Sequence, residues 1–381
     1  MMKRRIAITI FSLCCSSSAW ADTLLYSTTQ GGNPAGGYQP ATYTLADNTF
    51  TRGHFLFKRG ITVGDNDFTW DADGFVNGTI SVGNAGALKL STDLRLGTTG
   101  TLSCVGDYLN IYGENKRIML GGEMGLNQGI RAKSTLTLDG QGYTLTLTRG
   151  RDYGRFEIDG NTTVILKNMT IFCESVNDSN DYLFRRGNYI LENVRIVCKP
   201  YADRIATLCS ALDSGITTIT IRGQVSIESP EMPIVMCKDG GAGALTLAIN
   251  IEKNSTLTIG QGTVCALCYN SSDSACTINF TDRTSQLVLD GCDFYTSSVG
   301  GNGASALTAL TLTKGTLLFR NKVRLFNALY NTSTYAAYTP INTDMSKALI
   351  LGDGTSAGDM DVRVLGGAYV TVQGCINYNH S

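Results

Sequence analysis

The sequence predicts an all-β chain wound as a parallel β-helix solenoid behind an N-terminal capping segment. Three observations predict it. Thr, Val, Ile and Leu recur in short alternating runs, the period-2 signature of half-buried strands. Glycine is abundant, at 43 of 381 residues, while proline numbers only 6, so the chain turns often without using proline to do it. One short template also returns along most of the chain: apolar, any, apolar, any, a turn residue, then a second apolar run. No long stretch keeps a 3.6-residue period.

The template is plainest in TTVILKNMTIFC (162–173) and NYILENVRIVC (188–198). Val164, Leu166, Asn168 and Ile171 fill it in the first, and Tyr189, Leu191, Asn193 and Ile196 in the second. Upstream it is met by Leu136, Leu138, Gly140 and Tyr143. Downstream come Ile219-Ile221-Gly223-Val225, Leu257-Ile259-Gln261-Val264, Leu287-Leu289-Gly291-Phe294, Leu317-Phe319-Asn321-Val323 and Val370-Val372-Gly374-Ile376, with a fainter copy at Leu349 and Leu351. The starts lie 21 to 38 residues apart. A loose period of this size indicates a solenoid whose loops vary in length between fixed strands.

The turn position is mostly Asn or Gly, the two residues that enter left-handed backbone conformations at low cost. A single such residue bends the strand, and the apolar residues on either side of it then face one interior. Leu166 and Leu191 are expected to point inward and stack, with Lys167 and Glu192 outward, where they can pair. Cys173 and Cys198 each lie nine residues after the start of their copy, so they should sit one above the other. Neighbouring strands are about 4.8 Å apart. That is within the Cα range of a disulfide, but parallel register holds the Cβ atoms further apart than a disulfide normally does.

The organisation follows from the ends inward. MMKRRIAITIFSLCCSSSAWAD opens with Lys3, Arg4 and Arg5, continues with a short apolar core from Ile6 to Cys15, and ends on Ala19-Trp20-Ala21. This is a secretory signal pattern over 1–21, with cleavage expected after Ala21. No small residues precede Cys14 as a lipoprotein site requires. No later stretch is apolar for long enough to form a transmembrane helix. Residues 22–75 fit the template poorly and are expected to cap strand edges that would otherwise lie open. Residues 76–381 are expected to form the helix, irregular at first, as in ALKLSTDLRL (87–96), and regular from 136. The C-terminal part shows no barrel of alternating lipid-facing strands. Charged residues make up 17% of the chain and the net charge is -1, so there is no basic field for nucleic acid.

Through TLTLDGQGYTLTL (135–147), FEIDGNTTVILKNMTI (156–171), YILENVRI (189–196) and QLVLDGCDF (286–294), the chain resembles the right-handed parallel β-helix proteins of the pectin-lyase-like superfamily. The resemblance covers about 76–381 and carries a fold signature without a catalytic one. It implies either an exported, non-enzymatic protein of adhesin or autotransporter-passenger character, presenting loops to a glycan or cell surface, or a polysaccharide lyase or glycoside hydrolase. Tailspikes, a further branch, lack signal peptides.

The enzyme reading finds little support in the residues. Asn342-Thr343-Asp344 matches a polygalacturonase triplet, but the Asp-Asp pair and the Gly-His-Gly of those enzymes are missing. The only histidines, His54 and His380, lie outside the clear coils. Asp139, Asp159 and Asp290 each precede Gly and read as solvated turn residues, with an acidic ladder for calcium or sugar as the alternative. DNDFTWDADG (65–74) lacks EF-hand spacing and reads as a loop with Trp70 packed beside it. FLFKRG (55–60) and YLFRRG (182–187) echo each other. Their basic pairs read as loop ends after a buried aromatic, or as contacts for an acidic glycan. Of 12 cysteines, two lie in the leader; Cys265-x-x-Cys268 has no second pair and no neighbouring His for zinc. No catalytic, metal or cofactor residues are assigned, and no cofactor is expected.

Overall fold

The computed structural model describes short strands between residues 32 and 63, and then residues 67–71, 73–148, 156–159, 161–174, 182–199, 206–211, 215–230, 234–239, 245–260, 262–269, 275–299, 310–331, 349–352, 360–373 and 376–378. Every regular element among them is a strand. Apart from one two-residue hairpin, all strand pairs are parallel, each joining a strand to its equivalent in the next turn of the chain. The architecture is all-β, with large parallel sheets stacked as in a solenoid.

Three stacks run along the molecule. The first carries His54–Phe57, Asp73–Val76, Leu94–Leu96, Lys116–Met119 and Leu136–Asp139, then the leading half of Thr163–Cys173. It continues through Gly187–Cys198, Gly215–Arg222, Leu245–Ile251 and Ala275–Phe280. The second takes the trailing halves of the two long strands, followed by Gln224–Glu228, Thr256–Ile259, Gln286–Asp290, Gly315–Arg320 and Met360–Val364. The third includes Tyr108–Tyr112, Gly129–Ala132, Phe156–Ile158, Ala206–Ala211, Ile234–Asp239, Val264–Tyr269, Asp293–Val299, Lys322–Asn331 and Tyr369–Gln373. Parallel pairing reaches back upstream of residue 76, as far as Tyr43–Thr44.

The core is a set of rows at strand spacing. Leu138, Leu166, Leu191, Ile221 and Ile251 are register partners in successive coils, and all five are buried. Fully burying each such side chain contributes roughly 1.5–3 kcal/mol. Leu166 and Leu191 therefore stack as the alternation predicts, and Lys167 and Glu192 take the adjacent outward row. The Lys167 ammonium lies 3.6 Å from Asp139 of the preceding coil. Cys173 and Cys198 are register partners, both buried and neither in a disulfide.

The bend also behaves as its residue types require. Asn168, Asn193 and Gly223 have φ of 51°, 54° and 63°, the left-handed region in which Asn and Gly are at ease. Asn321 and Gly291, at 56° and 62°, bend the chain in the same way. They do so at a different corner, which corrects the repeat as the template aligns it. Ile219 stacks on Ile249, whereas Leu257 stacks on Val225. The 38-residue step from Ile219 to Leu257 therefore passes from the first stack to the second. Later copies follow the second-to-third corner, and Val370 belongs to the third stack, over Val323. The corners share alternation and a left-handed residue, so residue type alone does not separate them.

Candidate functional site

The first-to-second corner positions a shallow groove. Beyond each left-handed residue the chain re-enters a strand, and a residue two to four positions further on points outward. In successive coils this position holds Thr144, Thr170, Arg195, Ser226 and Thr258, register partners in one row. With Gly142, Asn168, Asn193 and Gln224 of the corner itself, the row from Thr170 to Thr258 lines an open concavity of about 510 Å³. Its repeat is the strand spacing, about 4.8 Å.

Side-chain amides pin this groove along its length. Asn193 Nδ2 donates to Asn168 Oδ1 at 3.4 Å, and Asn168 Nδ2 donates to Asp139 Oδ1 at 3.3 Å. The Gln224 backbone N–H donates to Asn193 Oδ1 at 3.1 Å. Gly223 has no side chain because the amide occupies the space: a Cβ there would lie 2.1 Å from Asn193 Oδ1. Arg195 is the groove's one cation, and it is held flat. Its guanidinium donates to both Glu228 oxygens, at 2.9 and 2.7 Å, and Ser226 Oγ bonds Glu228 Oε1 at 3.3 Å. The Arg195 hydrogen bond holds the Glu228 carboxyl below its ordinary pKa, and the pair raises that of Arg195. The exposed hydroxyls and amides give the groove alternating donors and acceptors.

A cluster of charges lies elsewhere, on the outer side of the third stack. Glu157 receives Arg131 Nη2 at 3.0 Å on one oxygen and Arg185 Nη1 at 2.8 Å on the other. The Arg131 guanidinium also lies 4.2 Å from the centre of the Tyr108 ring. Three coils contribute to this cluster. Its carboxylate has both oxygens tied to cations.

The Asp-Gly residues do not form a ladder. Asp139 ends a first-stack strand, Asp159 follows the third-stack strand Phe156–Ile158, and Asp290 ends a second-stack strand. Asp139 corrects the expectation of a solvated turn. It is 2% exposed, accepts from the Gln141 N–H, and faces Arg117 and Lys167 at 3.9 and 3.6 Å. Burial of a carboxylate is tolerated here because cations and hydrogen bonds surround it. Asp159 is exposed and pairs with Lys133 at 2.7 Å, a hydrogen bond that lowers its pKa. Asp290 faces Arg320 at 3.6 Å and accepts from Asn321 Nδ2 at 2.6 Å.

DNDFTWDADG corrects the expectation of a loop, since Phe68–Trp70 and Asp73–Val76 are strands paired in parallel with their neighbours, and Trp70 is fully buried as part of the first of them. In YLFRRG, Tyr182, Leu183 and Phe184 are buried, but Arg185 is no free loop end, since it is one of the two cations on Glu157. Cys265 is buried, and desolvation pushes its thiol pKa well up; the Cys268 side chain lies outside the described residues. Also outside them are the leader, Asn342-Thr343-Asp344, His380, the His54 side chain and the basic pair of FLFKRG. Among the described residues, no group of three or more His, Cys, Asp or Glu is arranged to hold a metal ion. No helix there is long and apolar enough to cross a membrane.

The groove row itself was missed by residue-type reasoning. Thr170, Arg195, Ser226 and Thr258 are unremarkable one at a time. Their common signal is position, since they occupy equivalent outward sites in successive coils. Comparison with known proteins finds no match to the chain among family models, curated proteins or solved structures.

Proposed function

We propose that this is an exported, non-enzymatic right-handed parallel β-helix protein, similar in character to adhesin and passenger domains, that binds a glycan along the first-to-second corner. The observation that carries this reading is the groove from Thr170 to Thr258, a shallow, nearly neutral trough with hydroxyls and amides repeated at strand spacing. A hydroxylated polymer lying along the coil axis can meet one hydrogen-bonding side chain per coil. Weak contacts in a row then add through their number. Export rests on the leader of residues 1–21, and N-terminal sequencing of secreted protein should begin at Asp22.

The second reading is a polysaccharide lyase or glycoside hydrolase, favoured by the cluster of Arg131, Glu157 and Arg185 from neighbouring coils. One experiment addresses both. Purified mature protein is screened against neutral glycans and polyuronides for binding and for product release. The binding reading expects retention without new chain ends, abolished in the Thr170→Val/Ser226→Ala/Thr258→Val variant. Product release lost on Glu157→Gln would instead establish the enzyme.

A further inference from the structure

Core rows of the solenoid reach solvent at the last described coil. Val362 and Val364 occupy inward positions, directly over Leu317 and Phe319. Those lower residues are 1% and 4% exposed, whereas Val362 and Val364 are 40% and 56% exposed. Val372, over the buried Leu325, is likewise 40% exposed. These valines continue the core rows, and among the described residues no strand pairs above them. The strands that carry them are the last of their stacks. Met360–Val364 pairs only with Gly315–Arg320, Tyr369–Gln373 only with Lys322–Asn331, and Ile376–Tyr378 only with Leu349–Leu351, among the described residues. Each therefore presents a free edge of backbone donors and acceptors.

A cover for this end must supply strand edges around an apolar cross-section of the same outline. We propose that the cover is a second copy of this chain, joined end to end about a two-fold axis through Val362. Antiparallel pairing of Met360–Val364 with itself then places Val362 on its own counterpart and Met360 against Val364, both on the inner side. On the outer side it places Asp361 opposite Arg363 of the second copy, and Arg363 opposite Asp361. Within one chain these two are already ion-paired and largely exposed, at 2.5 Å. The strand is thus self-complementary in both shape and charge, as a two-fold interface requires. The same axis exchanges the other two sides of the end, so Tyr369–Gln373 runs antiparallel to the copy's Ile376–Tyr378. The Met360–Val364 edge and the exposed valines beside it are covered together.

Sedimentation equilibrium of the purified full chain tests this. A closed dimer is expected, with no larger species as concentration rises. Val364→Lys and Asp361→Arg should each weaken it by roughly tenfold or more, the second by setting like charges opposite one another. The Asp361→Arg/Arg363→Asp double variant should recover the wild-type dimer, which a misfolded end would not do. Val362→Cys should cross-link to itself on mild oxidation, because directly opposed antiparallel residues lie about 4.5–5.5 Å apart at Cα, within disulfide reach. A monomer at every concentration, an open-ended polymer, a dimer unchanged by both Val364→Lys and Asp361→Arg, or a Val362→Cys dimer that does not cross-link would each overturn the proposal.

Discussion

Replacing Gly223 by Ala tests whether the corner is set by one amide passing beneath one glycine. Two costs follow from the geometry. At a φ of 63° an alanine is held in the left-handed region, at about 1–2 kcal/mol. Its Cβ would also lie 2.1 Å from Asn193 Oδ1 and 3.0 Å from Cγ, distances that no contact tolerates. Asn193 is exposed, so its amide can swing away. In doing so it gives up the bond from the Gln224 N–H and its donation to Asn168, each worth about 0.5–1.5 kcal/mol, the longer one nearer the lower figure. Gly223→Ala should therefore destabilise by about 2–4 kcal/mol. Asn193→Ala removes the same two bonds by itself. The double variant has no amide left to displace, so it should be about 1 kcal/mol less destabilised than the sum of the single variants. Gly223→Asn separates the terms, because Asn accepts the backbone angle but keeps the collision. Urea unfolding of all four proteins, compared at constant m, reads these differences from the midpoints. Additivity within about 0.3–0.5 kcal/mol would refute the coupling.

Other consequences can be checked separately. Leu191→Asp places an unpaired carboxylate in the row between Leu166 and Ile221 and should cost several kcal/mol, whereas Glu192→Ala, at the adjacent outward position, should cost about 1 kcal/mol or less; similar melting shifts would contradict the assigned faces. The Glu228 carboxyl is depressed by Arg195, so its stabilisation is present above the unfolded carboxyl pKa and is lost as pH falls through the lower folded value; the gap in melting temperature between wild type and Arg195→Ala should close on acidification, and a gap that widens would be the wrong sign. Burial pushes the Cys209 thiol up to about 12, and Cys173 and Cys198 are buried and outside any disulfide, so a thiol reagent at mildly alkaline pH should label all three only as denaturant unfolds the chain; rapid labelling of the native protein would place them wrongly.

The sequence carried the fold further than the site. Alternation told inward Leu166 from outward Lys167, and the left-handed residue located Asn168, Asn193 and Gly223 as bends. Where the reading slipped, between Ile219 and Leu257, the cause is degeneracy. The first-to-second and second-to-third corners meet the same steric demand and use the same residues, so spacing was the sole clue that the register had moved by one side. Asp139 shows a different limit. Asp-Gly is usually a solvated turn, and only the stacking of coils brings Arg117 from before it and Lys167 from after it to surround the carboxylate.

The groove was hidden for the same reason, since in a stacked architecture a surface feature runs across the chain. Thr170, Arg195, Ser226 and Thr258 are 25 to 32 residues apart in sequence but are successive neighbours in space. No local pattern joins them; the bend does, by fixing where each coil turns and hence which residue lands in the outward row just after it. One left-handed residue per coil therefore does two things. It keeps the inner row of Leu166, Leu191 and Ile221 in register, and it keeps the outer row in line. A change that slips the corner by one residue, such as an insertion beside Asn193, would turn the inward set outward. It would break the groove and the core together, whereas Ser226→Ala would alter the groove and leave the core rows intact. Binding and stability should accordingly separate for substitutions in the outer row and fail together for changes at the bend.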